Sequence, residues 1–338
     1  MDEVIGKAQR DDYLNRLIQF FNREYNLEVI SIVPAKRGFY GETWRLETKE
    51  KNYFAKLDYF PHHQCIFQKS LSVVDYLCDH GLDFISKIVK TGNGELHSYF
   101  KTVFRRYSLD RRVPGSQVDS FETAVVGVFE WVDGENLETD ETKVPEYQML
   151  CRVYRLTKEG FDIPRAIFSD EMSLRFYKEW DKIKENLHDE ANMTVHGILE
   201  HHREMICHCA NRLAYFSMLC QRDTSHFYIT HGDAGGNFVV SGDKNYIVDW
   251  DEVMYAPLER DAWVMGCFDW ARELFDKTLM EHNISYKLCS ERLGFYGFHM
   301  FFFYLGEFLE GHKQSDKAER IEDYLTNSWI KERMQPFY

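Results

Sequence analysis

The chain has 338 residues, 44% of them hydrophobic and 28% charged, enough for one large domain or two lobes around a sizeable core. That composition excludes a disordered chain, and the formal net charge of −14 argues against nucleic acid and anionic membrane surfaces as partners. An acidic surface instead suits a cationic small substrate.

Leu14, Leu17, Ile18 and Phe21 recur at helical spacing and predict a helix over residues 8–25. Residues 29–33 read as a strand. Arg37-Gly38-Phe39-Tyr40-Gly41-Glu42 then carries two glycines ahead of a second strand over Thr43–Thr48. After the turn Glu50-Lys51-Asn52, Tyr53-Phe54-Ala55-Lys56-Leu57 is a third strand. Three hairpin-linked strands with a glycine loop can lay backbone N–H groups over phosphates, and Lys56 can point an ammonium at them. A helix over 63–81 ends at Gly81, and Phe100–Phe104 and Ala124–Val132 are two further strands.

Val128–Glu135 leaves the last of these strands into a polar glycine turn, after which the pattern becomes helical: 145–158, 171–187, 195–222, 262–280 and 291–310. The natural boundary is therefore a β-rich lobe over 1–132 and an α-rich lobe over 133–338. Leu293–Leu309 is apolar but carries His299, Glu307 and three glycines, and it is shorter than the roughly 20 residues a membrane span needs. It reads as a buried helix. The eight cysteines are scattered, and His201-His202…Cys207-His208-Cys209 matches no zinc spacing, so reduced thiols are expected. The start Met-Asp-Glu-Val lacks the basic and apolar regions of a secretory signal, which points to a cytoplasmic protein.

The most informative stretch is Thr230–Gly266. Phe238–Val240 and Tyr246–Val248 flank Ser241-Gly242-Asp243-Lys244-Asn245, a hairpin with a five-residue loop. If Val240 pairs with Tyr246, Asn237 faces Asp249 at the mouth of the hairpin, at roughly 5 Å. An amide oxygen and a carboxylate so placed can share a hard cation such as Mg²⁺, and Asp233 lies just upstream on a Gly-rich loop. A carboxylate beside a metal pair is the minimal apparatus for phosphoryl transfer.

The glycine loop, the strand lysine, and the series His231-Gly232-Asp233…Asn237…Ile247-Val248-Asp249 together resemble the aminoglycoside phosphotransferase family. The likeness runs from about residue 10 to 330. It is sharpest over 230–266, and Tyr53–Leu57 with Tyr246–Asp261 points toward spectinomycin-modifying members. The resemblance implies an α+β, protein-kinase-like two-lobed fold with a β-rich N-lobe and a mostly helical C-lobe. It implies a small-molecule kinase moving the γ-phosphate of ATP (or GTP), with Mg²⁺, to a hydroxyl of an aminoglycoside or aminocyclitol. The sequence does not specify an oligomeric state, and a monomer is the default expectation. The same fold also acts on choline, homoserine and sugars, and a nucleotide-binding scaffold without transfer is a further alternative.

By position, the resemblance makes Asp233 the group that orients or deprotonates the acceptor hydroxyl. Asn237 and Asp249 become metal ligands, and Lys56 the partner of the α- and β-phosphates under the loop of Gly38 and Gly41. The backbone of Glu130, Trp131 and Val132 would meet the adenine edge. Asp251 and Glu252 could face a cationic acceptor, whose pocket is expected among the helices of 160–225, with Asp170, Glu171, Trp180 and Glu185. Asp261 reads as a cap or brace, and His231 as a support beneath the loop.

Two departures carry their own expectations. Only Ala234-Gly235-Gly236 separate Asp233 from Asn237, one residue fewer than in the family, and the two glycines are expected to shorten the loop by taking positive φ. No glutamate lies between Tyr59 and Leu77 to pair with Lys56, and Gln68 is the nearest candidate.

Overall fold

Apolar periodicity converts into elements in nearly the expected order. In a computed structural model describing residues 2–35, 41–101, 123–310 and 314–338, the chain opens with α1 (Asp2–Tyr25). Strands β1 (Ser31–Pro34), β2 (Glu42–Glu47) and β3 (Asn52–Asp58) follow, then α2 (Pro61–Asp79), β4 (Ser98–Lys101) and β5 (Thr123–Glu130). Next come β6 (Glu135–Asn136), α3 (Lys143–Tyr154), α4 (Glu171–Glu185), α5 (Glu190–His201), α6 (Arg203–Cys220) and β7 (Tyr228–Thr230). The hairpin β8 (Phe238–Ser241) and β9 (Lys244–Ile247) precedes β10 (Met254–Ala256), α7 (Glu259–Ala262) and α8 (Asp269–Glu281). The chain closes with α9 (Ser290–Glu310), α10 (Gln314–Asn327) and α11 (Trp329–Met334). This is an α+β protein, an antiparallel sheet followed by a mostly helical part.

The chain forms two compact units. One takes the described residues up to Pro164 together with His231–Met254; the other holds Arg165–Thr230 and Tyr255–Tyr338. In the first, the five-stranded sheet runs β1-β2-β3-β5-β4, and its paired strands are antiparallel. Alternation on β2, β3 and β5 sends Trp44, Leu46, Ala55, Leu57, Val126 and Val128 to one buried face. Leu17, Phe20, Phe21 and Tyr25 of α1 cover that face, and the Tyr25 hydroxyl donates to the Val126 carbonyl at 2.7 Å. Each such fully buried side chain contributes about 1.5–3 kcal/mol. A second, three-stranded sheet runs β6-β8-β9. Gly134 is fixed by it, since a Cβ there would stand 2.3 Å from the Val240 carbonyl oxygen.

In the second unit α9 is the central helix, with Leu293, Phe298, Phe301, Phe302 and Leu305 buried. Gly294 lets the Phe216 ring of α6 approach: a Cβ would lie 2.7 Å from it. Two helices expected to be continuous are broken. The 195–222 run divides at His202 (φ −97°, ψ 9°), so that α5 packs on α4 and α10 while α6 packs on α9. The 262–280 run begins as α7 and restarts as α8; Gly266, whose N–H bonds the Ala262 carbonyl at 2.7 Å, sits between them. Among the described residues, no helix is long and apolar enough to cross a membrane.

Candidate active site

Lys56 is the buried charge around which the first unit is arranged. Pairing of β3 with β5 sets it opposite Gly127, where a Cβ would press within 2.8 Å of the Phe67 ring. The Lys56 side chain is 3% exposed, and its Nζ lies 5.7 Å from the centre of that ring. Burial alone would strip its proton, but Asp249 at 3.1 Å and Asp251 in direct contact hold the ammonium well above its ordinary pKa.

The hairpin delivers Asp249 by a route different from the expected one. Its register is Phe238↔Ile247, Val239↔Tyr246, Val240↔Asn245 and Ser241↔Lys244, so Val240 does not meet Tyr246. The loop is two residues, Gly242-Asp243, with Gly242 at φ +62° as the first position of a II′ turn requires. Asn237 therefore stands opposite Val248, whose N–H bonds its carbonyl at 3.1 Å, and Asp249 lies one residue further on. Asp249 has φ +64°, which ends strand alternation and lets Val248, Asp249, Trp250 and Asp251 all line one cavity. Burial raises the Asp249 carboxyl, but Lys56, with His231 and His63, brings it net below the ordinary value.

Asp233 is fixed by its neighbours in sequence. The His231 ring donates from Nε2 to the Val248 carbonyl at 2.8 Å and accepts at Nδ1 from the Asp233 N–H at 3.2 Å, bracing the loop against β9. The Asn237 amide donates to the Asp233 carbonyl at 2.9 Å and to its carboxylate at 3.1 Å. The two glycines between them do not take positive φ, contrary to expectation; they form a 3-10 turn, Gly235–Asn237. Their smallness serves close approach instead. A Cβ on Gly236 would lie 2.9 Å from the Asp233 carboxylate, and one on Gly235 would lie 2.7 Å from Lys143 Nζ. Burial, then Asp249, Glu138 and Glu252 outweighing His231, raises the Asp233 pKa.

A cavity of about 360 Å³, within the range of small-ligand pockets, collects Lys56, Asn237, Asp249 and Asp251; Asp233 is joined to it through its bond with Asn237 rather than lining it. Lys56, Asn237, Asp249 and Asp251 line its charged part; Phe54, Phe129, Trp131 and Val132 line its apolar part. Glu130, Trp131 and Val132 border it, with the Glu130 side chain drawn away to Lys51 at 2.6 Å. The Glu130 N–H is bonded to the Lys87 carbonyl, and the Glu130 carbonyl accepts from Ser86 Oγ. Ala35 and Thr43, on either side of the glycine segment, also line it. Gly41 has φ +77° and packs so closely on Leu57 that a Cβ would be 1.9 Å from that carbonyl oxygen. Gly38 lies outside the described residues.

The profile of the family described as "Phosphotransferase enzyme family" (APH) matches residues 31–298. The chain belongs to that family. It is a phosphotransferase with an alcohol group as acceptor, a small-molecule kinase. A search of curated proteins gives no match. Among solved structures, the chain is similar to spectinomycin phosphotransferase APH(9)-Ia in complex with ADP and spectinomycin. That match has 16% identity and a TM-score of 0.71, covering 94% of this chain and 97% of the other. It is also similar to a microcompartment-associated aminopropanol kinase (10%, TM-score 0.64, 95% and 98% covered). A third is the choline kinase LicA of Streptococcus pneumoniae (14%, TM-score 0.52, 93% and 98% covered). At these identities the likeness carries the kinase-like fold.

The remaining expected residues of this phosphotransferase divide. Gln68 is not brought to Lys56: its amide donates to the Tyr99 hydroxyl at 2.6 Å and meets His97 at 3.3 Å. Asp251 is not open to an acceptor, being 8% exposed with its carboxylate on Lys56; burial and Asp249 push it up to about 7 against the pull of Lys56. Glu252 is half-exposed, 3.8 Å from His63. In the second unit Trp180 is core, 1% exposed, its indole N–H donating to His196 Nδ1 at 3.1 Å.

Sequence reasoning missed two supports. His63 bonds the Asp58 carboxylate through Nδ1, and its Nε2 lies 3.7 Å from Asp251. Lys143, fully buried with Glu146 at 2.8 Å and Glu138 at 3.6 Å, backs Gly235. Lys143 and Glu146, one helical turn apart at (i, i+3), were the only local signal.

Proposed function

We propose that this phosphotransferase moves the γ-phosphate of ATP (or GTP) to a hydroxyl of a cationic small molecule, an aminocyclitol or aminoglycoside antibiotic such as spectinomycin. The observation that carries the reading is the gathering of Lys56, Asn237 and Asp249 on one cavity bordered by the Glu130–Val132 edge. In this reading the main chain of that edge takes the adenine, and Lys56 takes the α- and β-phosphates. Asp233 accepts the proton of the acceptor hydroxyl as its oxygen bonds phosphorus and the bond to the bridging oxygen breaks, releasing nucleoside diphosphate. Its raised pKa suits it to that proton.

Asn237 and Asp249 fit Mg²⁺. The Asn237 amide nitrogen is committed to Asp233, so its oxygen is left for a cation, and the Asp249 side chain is 37% exposed. Bound there, the ion supplies charge neutralisation for the transferring group. Half-exposed Glu252 and Glu138, both acting electrostatically on Asp233, support a cationic acceptor.

The test is transfer of labelled phosphate from ATP and GTP to a panel of spectinomycin, other aminocyclitols, choline, homoserine and sugars, alongside spectinomycin resistance in a sensitive bacterium. Transfer to spectinomycin, with resistance lost in Asp233→Asn, is expected. Transfer only to choline, homoserine or a sugar would replace the acceptor class; nucleotide binding without transfer to any acceptor would overturn the reading.

A further inference from the structure

Lys56 lies between two carboxylates, and the structure gives them different situations. Asp249 is more than a third open to the cavity, whereas Asp251 is nearly enclosed. Asp251 is also held from behind. Its backbone carbonyl accepts from Ser70 Oγ of α2 at 2.9 Å, and its carboxylate lies 3.7 Å from His63 Nε2. The other nitrogen of His63 is bonded to Asp58, a fully buried residue two positions beyond Lys56 on the same face of β3. Asp58 is itself anchored, accepting the Phe60 N–H at 2.8 Å. The contacts Lys56–Asp251–His63–Asp58 thus form a loop that starts and ends on one strand. The acid of α2 with a partner in view, Asp75, is turned to Lys90 at 2.8 Å, and Gln68 to Tyr99.

We infer that Asp251 is the positioning residue for Lys56: it fixes the ammonium over the cavity, so that the hold on Lys56 does not depend on Asp249, the carboxylate open to a cation. A carboxylate arriving from the segment after the hairpin thereby does what neither Gln68 nor Asp75 of α2 does. The division of labour follows from geometry. Asp249 also meets Lys56, at 3.1 Å through one oxygen, but it is the carboxylate open to the cavity. Asp251 is enclosed and braced, so it is placed to hold the lysine whatever Asp249 binds. This inference rests on the phosphotransfer reading, because the position of Lys56 matters only if phosphates come to it.

The experiment is a double-mutant cycle with Lys56→Met, Asp251→Asn and the combination, read as kcat/KM for nucleotide and as direct binding of ATP and of adenosine. Each single change is expected to lower kcat/KM about 100-fold, the cost of a misplaced group, and to weaken ATP but not adenosine. The double variant is expected to be no worse than Lys56→Met, since Asp251 acts through Lys56. Should Asp251→Asn alone not fold, the double variant, which removes both buried charges together, is compared with Lys56→Met; equality is again the expected result. A further drop of 10-fold or more in the double variant would overturn the inference. So would wild-type kcat/KM in Asp251→Asn, or equal loss of ATP and adenosine. If the wild-type chain transfers no phosphate, the functional reading fails, and the ATP-against-adenosine comparison still decides the role of Asp251.

Discussion

Two buried ionic clusters in this molecule differ in one respect that separates support from chemistry. In the second unit, fully buried Glu259 accepts the Tyr286 hydroxyl at 2.5 Å and the Cys289 N–H at 2.7 Å. Arg292 nearby donates to Tyr286 at 2.7 Å and to the Asp223 carbonyl and carboxylate at 2.9 and 3.2 Å. Each strong donor there has its acceptor, as buried charge requires. Around Lys56 one ammonium likewise faces two carboxylates, but here the open one, Asp249, lines a cavity together with Asn237 and Glu130–Val132. An acid held open beside a buried lysine on a cavity is placed to meet a ligand, whereas Glu259 is closed off by its own donors.

The largest effect is expected from removing the open carboxylate. Asp249→Ala leaves Lys56 paired with Asp251, so thermal stability is expected to stay near wild type while magnesium-dependent nucleotide binding disappears and turnover falls about 1,000-fold. A titration of Mg²⁺ with nucleotide that matched wild type would break the contrast between the clusters. A smaller effect is expected at the turn that holds Asp233. Gly236→Ala would push a methyl to within 2.9 Å of that carboxylate, and turnover is expected to drop by roughly 10- to 100-fold with folding retained. Unchanged turnover would show that the turn tolerates a side chain. The closed cluster should answer in the opposite currency. Glu259→Ala is expected to lower stability by about 3–5 kcal/mol in denaturant melts, leaving kcat of the folded fraction unchanged. A specific loss of kcat would erase the distinction.

How much of this was legible in the sequence depends on the distance over which each feature is specified. The order of strands and helices, the turn at Gly242 and the buried helix α9 were readable, because periodicity and turn chemistry are local. The hairpin register differs by one from the pattern because Ser241–Asn245 carries turn chemistry throughout, yet Ser241 and Lys244 pair and Gly242 opens a two-residue turn. The helix over 195–222 was read as continuous because nothing in its own pattern reveals that its halves pack on different partners. The partner of Lys56 lay beyond reach for the same reason. Asp251 is 195 residues away, and its spacing from Asp249 announces a second acid without saying what that acid touches. The adjacent glycines were noticed, but for their conformational freedom; the structure uses their lack of a side chain.

The central claim is that Asp233, Asn237, Asp249 and Lys56 form one phosphoryl-transfer site. It is tested most directly by following labelled γ-phosphate from ATP to spectinomycin with wild-type protein and with Asp233→Asn, while measuring nucleotide binding to both. The account predicts that the variant binds Mg²⁺ and nucleotide as wild type does but loses about 100- to 10,000-fold in transfer. Transfer by Asp233→Asn at the wild-type rate would contradict it.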